Sequence, residues 1–363
     1  MDQRRKTTEV TQKLPLCVIG AGSIGQRHIE VASLSEGVRL TAVVEPSAAV
    51  RARLAARGLP MVASLDDVPS DTQAAIVATP TQDHLASGMA CLDKGWATIV
   101  EKPVAATLAE ARALREAAEA KGGLLFTGHH RRCHPFSIAA RDALSQIGDL
   151  VGVQGLWSLR KHDSYYDVDW RRAPGAGPLL TNLTHEIDLL RFFIGEMTEA
   201  TALLSSARRG FVIEDTAALA FRFGDGALGS FLISDAGASP WSFEAASHEN
   251  PAIAGSGEDY LRIVGTDGAL AFPSLTRWGR SGPGEVEWSK PLMRHDGRAF
   301  DRIDPLLEQI ERFAKVAQGG VDDVLCTAED GIRAMEMTLA CALSGKTGRP
   351  VRPEDVPDTY TGV

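Results

Sequence analysis

The chain has 363 residues, 44% of them hydrophobic and 23% charged, with a formal net charge of -9 at pH 7. That length exceeds one ordinary hydrophobic core and calls for two domains, while the acidic balance excludes a mainly electrostatic grip on nucleic acid or an anionic membrane. No apolar run is long enough to span a bilayer, and five scattered cysteines (Cys17, Cys91, Cys133, Cys326, Cys341) read as reduced thiols of a cytoplasmic protein.

Residues 1–13 are polar and lack the apolar stretch of a secretory signal, so they read as a flexible tail. A short apolar strand at 16–19 then opens into Gly20-Ala21-Gly22-Ser23-Ile24-Gly25 and a helical segment from Gln26. Strand, glycines and helix arrive in the order of a dinucleotide fingerprint. Gly20 makes the tight turn, Gly22 lets backbone approach a pyrophosphate, and Gly25 lets helix and strand pack closely; free N–H groups at the helix start would bind the phosphates. A second strand, 40–44, ends at Glu45, roughly 20 residues beyond the loop, from where an acid holds the adenosine ribose. A carboxylate there favours NAD, and Arg51 keeps NADP open as the second cofactor.

Helix, strand and helix follow at 51–58, 73–78 and 84–94, and Thr79-Pro80-Thr81 at a strand's carboxyl end borders the nicotinamide side of a cleft. The apolar strand Ala97–Val100 runs straight into Glu101, Lys102 and Pro103. Two charges ending a buried strand are costly unless water or a ligand meets them, and open parallel sheets bind ligands at that end. Lys102 is therefore the first candidate for chemistry. Thr107 and Glu110 form a capping box for an alanine-rich helix ending at Gly122. The strand at 124–127 leads to Gly128-His129-His130-Arg131-Arg132, which either meets cofactor phosphate or substrate hydroxyls or forms a solvated basic loop. Repeated β and α units make 14–128 a doubly wound parallel α/β domain of the Rossmann type.

Residues 129–300 read as an α+β domain with an open, mostly antiparallel sheet, from strands at 151–159, 198–206, 216–223, 227–234, 260–264 and 269–272. Its polar residues concentrate in Asp169-Trp170-Arg171-Arg172 and in a helix opening near Leu179. Asn182, His185 and Asp188 are three apart and share a helical face, which forms a cleft wall, unless Asn182 merely caps the helix and His185 is an interior histidine. Residues 301–363 supply two helices, from Pro305 and over 327–342, that pack back on the first domain or across the junction.

Taken together, the 20–25 loop, Thr79-Pro80 with His84, Glu101-Lys102-Pro103 and the His185–Asp188 helix resemble the glucose-fructose oxidoreductase / inositol dehydrogenase (Gfo/Idh/MocA) family over nearly the whole chain. The resemblance implies a cofactor site at Gly20, Gly22, Ser23, Ile24, Gly25, Glu45, Thr79, Pro80, His84, Glu101 and Lys102. Lys102 and His185 are then the catalytic pair, with Arg131, Trp170, Arg171, Asn182 and Asp188 beside them at the substrate. One departure stands out: Thr181 occupies a position where many members carry an aspartate.

The implied reaction is NAD(P)-linked hydride transfer between nicotinamide and a secondary alcohol or ketone of a sugar, cyclitol or related acid. His185, whose ordinary pKa is nearest neutrality, is the expected base, and Lys102 steadies the alkoxide. The alternatives are a redox-elimination cycle on a glycoside with no net redox, and a dinucleotide-binding regulatory subunit without activity. Hydride transfer needs no metal, and the sequence offers no metal constellation. An open sheet face calls for a homodimer or homotetramer.

Overall fold

The structure, a computed structural model, describes residues 12–250, 252–282, 286–297 and 303–363; most of the expected N-terminal tail lies outside them. The first half alternates strand and helix: β1 (Leu14–Ile19), α1 (Ser23–Leu34), β2 (Val38–Val44), α2 (Ala48–Ala55), β3 (Met61–Val62), β4 (Ala74–Val77), α3 (His84–Asp93), β5 (Ala97–Val100), α4 (Leu108–Lys121) and β6 (Leu125–Thr127). The six strands pair in parallel in the order 3-2-1-4-5-6. Their near-continuous apolar runs are buried on both faces, as helices on both sides of a parallel sheet require. The order reverses between β1 and β4, which places a ligand crevice at their carboxyl ends. The capping box of α4 forms, with Thr107 Oγ1 accepting from Glu110 N at 3.2 Å and Glu110 Oε2 accepting from Thr107 N at 3.2 Å.

After α5 (Pro135–Ala143) the chain changes architecture. It continues through β7 (Leu150–Ser158), α6 (Thr184–Ile194), β8 (Met197–Ser205), β9 (Thr216–Phe223), β10 (Leu228–Ser234), α7 (Phe243–Ser247), β11 (Leu261–Gly265), β12 (Gly268–Phe272), β13 (Arg277–Arg280) and β14 (Leu292–His295). These eight strands form one sheet in the order 14-13-12-11-7-10-9-8, antiparallel throughout except for β7 against β10. One face packs against helices; the other exposes Val151, Leu228, Leu232 and Val264. α8 (Pro305–Ala317) lies on α1 and β2, and α9 (Ala328–Thr347) bridges α4 and β6 of the first sheet to α6 and β8 of the second. Among the described residues no helix is long and apolar enough to cross a membrane.

Candidate active site

The glycine loop between β1 and α1 is built as its sequence requires. Gly20 has φ +95°, and a Cβ there would lie 2.6 Å from the Ala78 carbonyl oxygen; one on Gly25 would lie 2.1 Å from the Gly20 oxygen. Only glycine permits that approach of helix to strand. A Cβ on Gly22 would meet nothing within 4 Å, so this backbone is open to a ligand, and Ser23 and Ile24 begin α1 beside it with free N–H groups. Glu45, at the end of β2, points at the loop: its Oε2 accepts from Ala21 N at 3.2 Å and its Oε1 from Ser47 N at 2.9 Å. Arg51 donates to the carbonyls of Glu45 and Pro46, each at 2.7 Å.

At the end of β4, Thr79 and Pro80 sit against the same loop. Thr79 Oγ1 is buried with no hydrogen-bond partner in the structure. His84 does not face the crevice: its buried ring lies between the Pro103 oxygen (2.9 Å) and the Thr79 oxygen (3.0 Å), tying the ends of β4 and β5 together. The open backbone at Gly22, the orphaned hydroxyl of Thr79 and the carboxylate of Glu45 fit a bound dinucleotide.

Glu101 and Lys102 diverge at the end of β5. Glu101 turns inward, its Oε1 2.7 Å from Nε2 of the buried His28 on α1 and its Oε2 accepting from Lys102 N at 3.1 Å. Burial opposes its charge, yet the hydrogen bond and charge of His28 hold its pKa at about 2. Expected at the cofactor, Glu101 instead spends both oxygens anchoring the lysine backbone to the helix of the glycine loop. Lys102 crosses the domain junction and donates from Nζ to the Thr181 oxygen at 3.1 Å. Burial, with Arg131 and Lys161 adding repulsion against the attraction of Glu101, lowers its pKa from the usual lysine value.

Thr181 and Asn182 lie in a turn of π-helix, Leu179–Leu183, that leads into α6. This wider turn breaks the regular spacing on which a shared face for Asn182, His185 and Asp188 depends. His185 lies by Lys102, its ring edge-on to those of His129 and His130 at 5.6 and 5.5 Å, and its Nδ1 has no partner in the structure. Asn182 does not cap: its Oδ1 accepts from Lys161 Nζ at 3.1 Å and from Thr181 Oγ1 at 3.0 Å. Asp188 turns away into a buried ion pair, both oxygens held by Arg132 at 2.7 to 3.0 Å. Arg131, also expected at the substrate, is buried between Glu186 and Glu244. Both need a buried counter-charge, and sequence spacing could not reveal which acids supply it.

Burial, Lys102, Arg131 and the two neighbouring histidines push the His185 pKa well below its ordinary value. Trp170, 60% exposed, borders a cavity of about 610 Å³ that Lys102 and Thr181 also line, whereas Arg171, also expected at the substrate, turns to Tyr165, stacking with its Cζ 4.1 Å from the ring centre and donating to the Tyr165 oxygen at 2.9 Å. Lys161 was not singled out by the sequence reading. Its one signal is that, like Lys102, it follows the end of a strand, here β7.

A family model described as the oxidoreductase family, NAD-binding Rossmann fold, matches residues 15–129, and its partner, the C-terminal alpha/beta domain, matches 141–352. Rhizopine catabolism protein MocA of Rhizobium meliloti is 30% identical over 183 residues, which is 50% of this chain and 57% of that protein; the chain thus matches little more than half of that relative's length. 1,5-Anhydro-D-fructose reductase of Ensifer adhaerens is 27% identical over 349 residues, 92% of this chain and 96% of that one. A crystal structure of an oxidoreductase from Agrobacterium radiobacter in complex with NAD+, L-tartaric acid and magnesium shares the fold, with a TM-score of 0.77 at 17% identity over 94% of this chain and 99% of that one. The chain therefore belongs to the GFO/IDH/MocA oxidoreductase family, with that family's NAD-binding Rossmann domain at residues 15–129 and its C-terminal domain at 141–352.

Proposed function

We propose that the protein is an NAD-linked dehydrogenase that oxidises a secondary alcohol of a polyhydroxylated small molecule. The observation that carries this reading is Lys102, which leaves the β5 end beside the glycine loop and hydrogen-bonds across the junction to the turn bearing Thr181, one helical turn before His185. The named activities of the family relatives, a reductase of an anhydro-sugar among them, support the substrate class, and the NAD+ held by the Agrobacterium neighbour supports the cofactor.

Bound NAD supplies the hydride acceptor. The chain's own residues handle the oxygen. Lys102 Nζ hydrogen-bonds the reacting hydroxyl and takes its proton, because its lowered pKa moves toward neutrality from above while that of His185 moves away below. His185, uncharged, donates or accepts a second hydrogen bond and orients the carbinol. Glu101 and His28 keep the lysine backbone fixed to α1. Gly22 and the first N–H groups of α1 hold the phosphates, and Glu45 reads the ribose, which sets NAD over NADP. The exposed apolar face of the second sheet is covered by another copy in a homodimer or homotetramer, a state that light scattering reads directly. The five cysteines, all free and buried, are consistent with the cytoplasm.

The test is a panel of sugars, cyclitols and hydroxy acids scored for NADH formation. Reduction of NAD by at least one polyhydroxylated compound supports the reading; turnover of a glycoside without NADH accumulating would replace it with a redox-elimination cycle.

A further inference from the structure

The cavity of about 610 Å³ beside Lys102 has two chemically different ends. One is polar and is built from neighbouring strand ends: Thr81 and Gln82 come shortly after β4, Lys102 follows β5, and Thr184 opens α6 one turn beyond the oxygen that Lys102 holds. The other is apolar. Met335 and Leu339, one turn apart on α9, are both buried and yet line the space, so it runs inward to the packed junction between the domains. Leu180 joins them from the π-turn, on which α9 packs. Val363 completes this wall: a Cβ on Gly175 would lie 3.3 Å from Val363 Cγ1 and 3.7 Å from Leu180 Cδ1. The segment leading to Val363 is tied to α4, where Ala109 N donates to the Asp358 oxygen at 3.1 Å and Arg112 pairs with the Asp358 carboxylate.

The hydroxyls along the inner wall are already committed. Thr338, between Met335 and Leu339, donates to the Ala334 oxygen at 2.7 Å, and Thr181 Oγ1 is held by the Gly177 oxygen at 2.9 Å. Thr361, the remaining hydroxyl at the apolar end, is exposed to solvent. A ligand hydroxylated all round would therefore bury part of its hydroxyls against Leu180, Met335, Leu339 and Val363 without partners, which is unfavourable. An alkyl or aryl group in the same place removes apolar surface from water on both sides. The volume is that of a pocket for a drug-sized ligand and leaves room beyond one hexose or cyclitol ring held at Lys102.

We propose that the site takes a hydroxylated ring carrying an apolar substituent, alkyl or aryl, with the reacting carbinol at Lys102 and the substituent against Leu180, Met335, Leu339 and Val363. This rests on the dehydrogenase reading for its reacting carbinol, but the apolar subsite is tested without turnover.

NADH-loaded protein is titrated calorimetrically with the methyl, n-butyl and phenyl β-glycosides of D-glucose, D-galactose and D-xylose. In at least one series the butyl or phenyl glycoside is expected to bind tenfold or more tightly than the methyl glycoside. Val363→Asp and Leu180→Asn each set a polar group against the substituent and should cut that preference at least threefold with NADH affinity unchanged, whereas Leu180→Met should keep it. Val363 is 50% exposed, so its replacement does not act by unfolding; should Leu180→Asn lose NADH binding and so report misfolding, Val363→Asp decides alone. A preference absent from every series, or one that survives the polar variants, would overturn the proposal. If substituted glycosides bind through Val363 but no compound reduces NAD, the dehydrogenase reading fails and the apolar subsite stands; if unsubstituted polyols reduce NAD and apolar groups gain nothing, the reverse holds.

Discussion

At the scale of single residues, the chemistry turns on which polar groups are committed and which are free. Glu45 keeps its carboxylate at the glycine loop, held by two backbone N–H groups. Its replacement by alanine removes a charged hydrogen bond worth about 1.5 to 3 kcal/mol, so Glu45→Ala should weaken NAD roughly ten- to hundredfold and narrow the gap to NADP, as fluorescence titration with both cofactors would show. An unchanged preference would mean that the ribose is read elsewhere. Lys102 was legible in the sequence because a charge ending a buried strand has few explanations. Asp188 and Arg131 were not, because their partners Arg132, Glu186 and Glu244 lie up to 113 positions away, and no local spacing encodes such a pairing. Nor could composition reveal that His185 would sit among cations that push its pKa down.

At the scale of elements, the ends of strands carry the site. β1, β4 and β5 present the glycine loop, Thr79 and Lys102 at one edge of a parallel sheet, and β7 presents Lys161 from the other domain. The strands of the first domain were legible from short apolar runs bounded by turn residues, β5 to the residue; the two-residue β3 is too short to leave a pattern. The π-turn before α6 was not legible, since its sequence is that of an ordinary amphipathic helix. The loop itself yields a sharp expectation. In Gly25→Ala the new methyl would lie 2.1 Å from a backbone oxygen that cannot move alone. The helix must then lift from the strand, at a cost of about 1 to 3 kcal/mol. Urea unfolding should register that loss and equilibrium dialysis a parallel loss of NAD binding; wild-type values for both would show that α1 does not depend on this contact.

At the scale of the whole molecule, the buried polar junction between the two sheets ties stability to pH. Burial holds the His129 and His134 pKa values at about 4, against 6.5 when unfolded. A depressed folded value means that their contribution is complete above pH 6.5 and is lost as pH falls toward 4, on the order of 3 kcal/mol for each. Glu186 acts oppositely: burial raises it to about 7, so its contribution is complete below pH 4.5 and lost as pH rises toward 7. Two histidines outweigh one acid, and Glu101, held at about 2, adds a further loss below pH 4.5. Urea unfolding without cofactor should therefore give a stability lower at pH 5 than at pH 7.5 by about 1 to 2 kcal/mol, and His129→Gln should reduce the difference. Equal stability at the two values would show that these rings are solvated.

Across the domain junction Lys102 of the first domain meets the turn that leads into the helix of His185 in the second. The direct test is single-turnover NAD reduction by Lys102→Ala, using the best substrate of the panel, beside its NAD dissociation constant. Loss of general acid–base help lowers the rate by about 10² to 10⁴, and that loss, with NAD affinity within about twofold of wild type, is the expected result. Near-wild-type hydride transfer in the variant would contradict it.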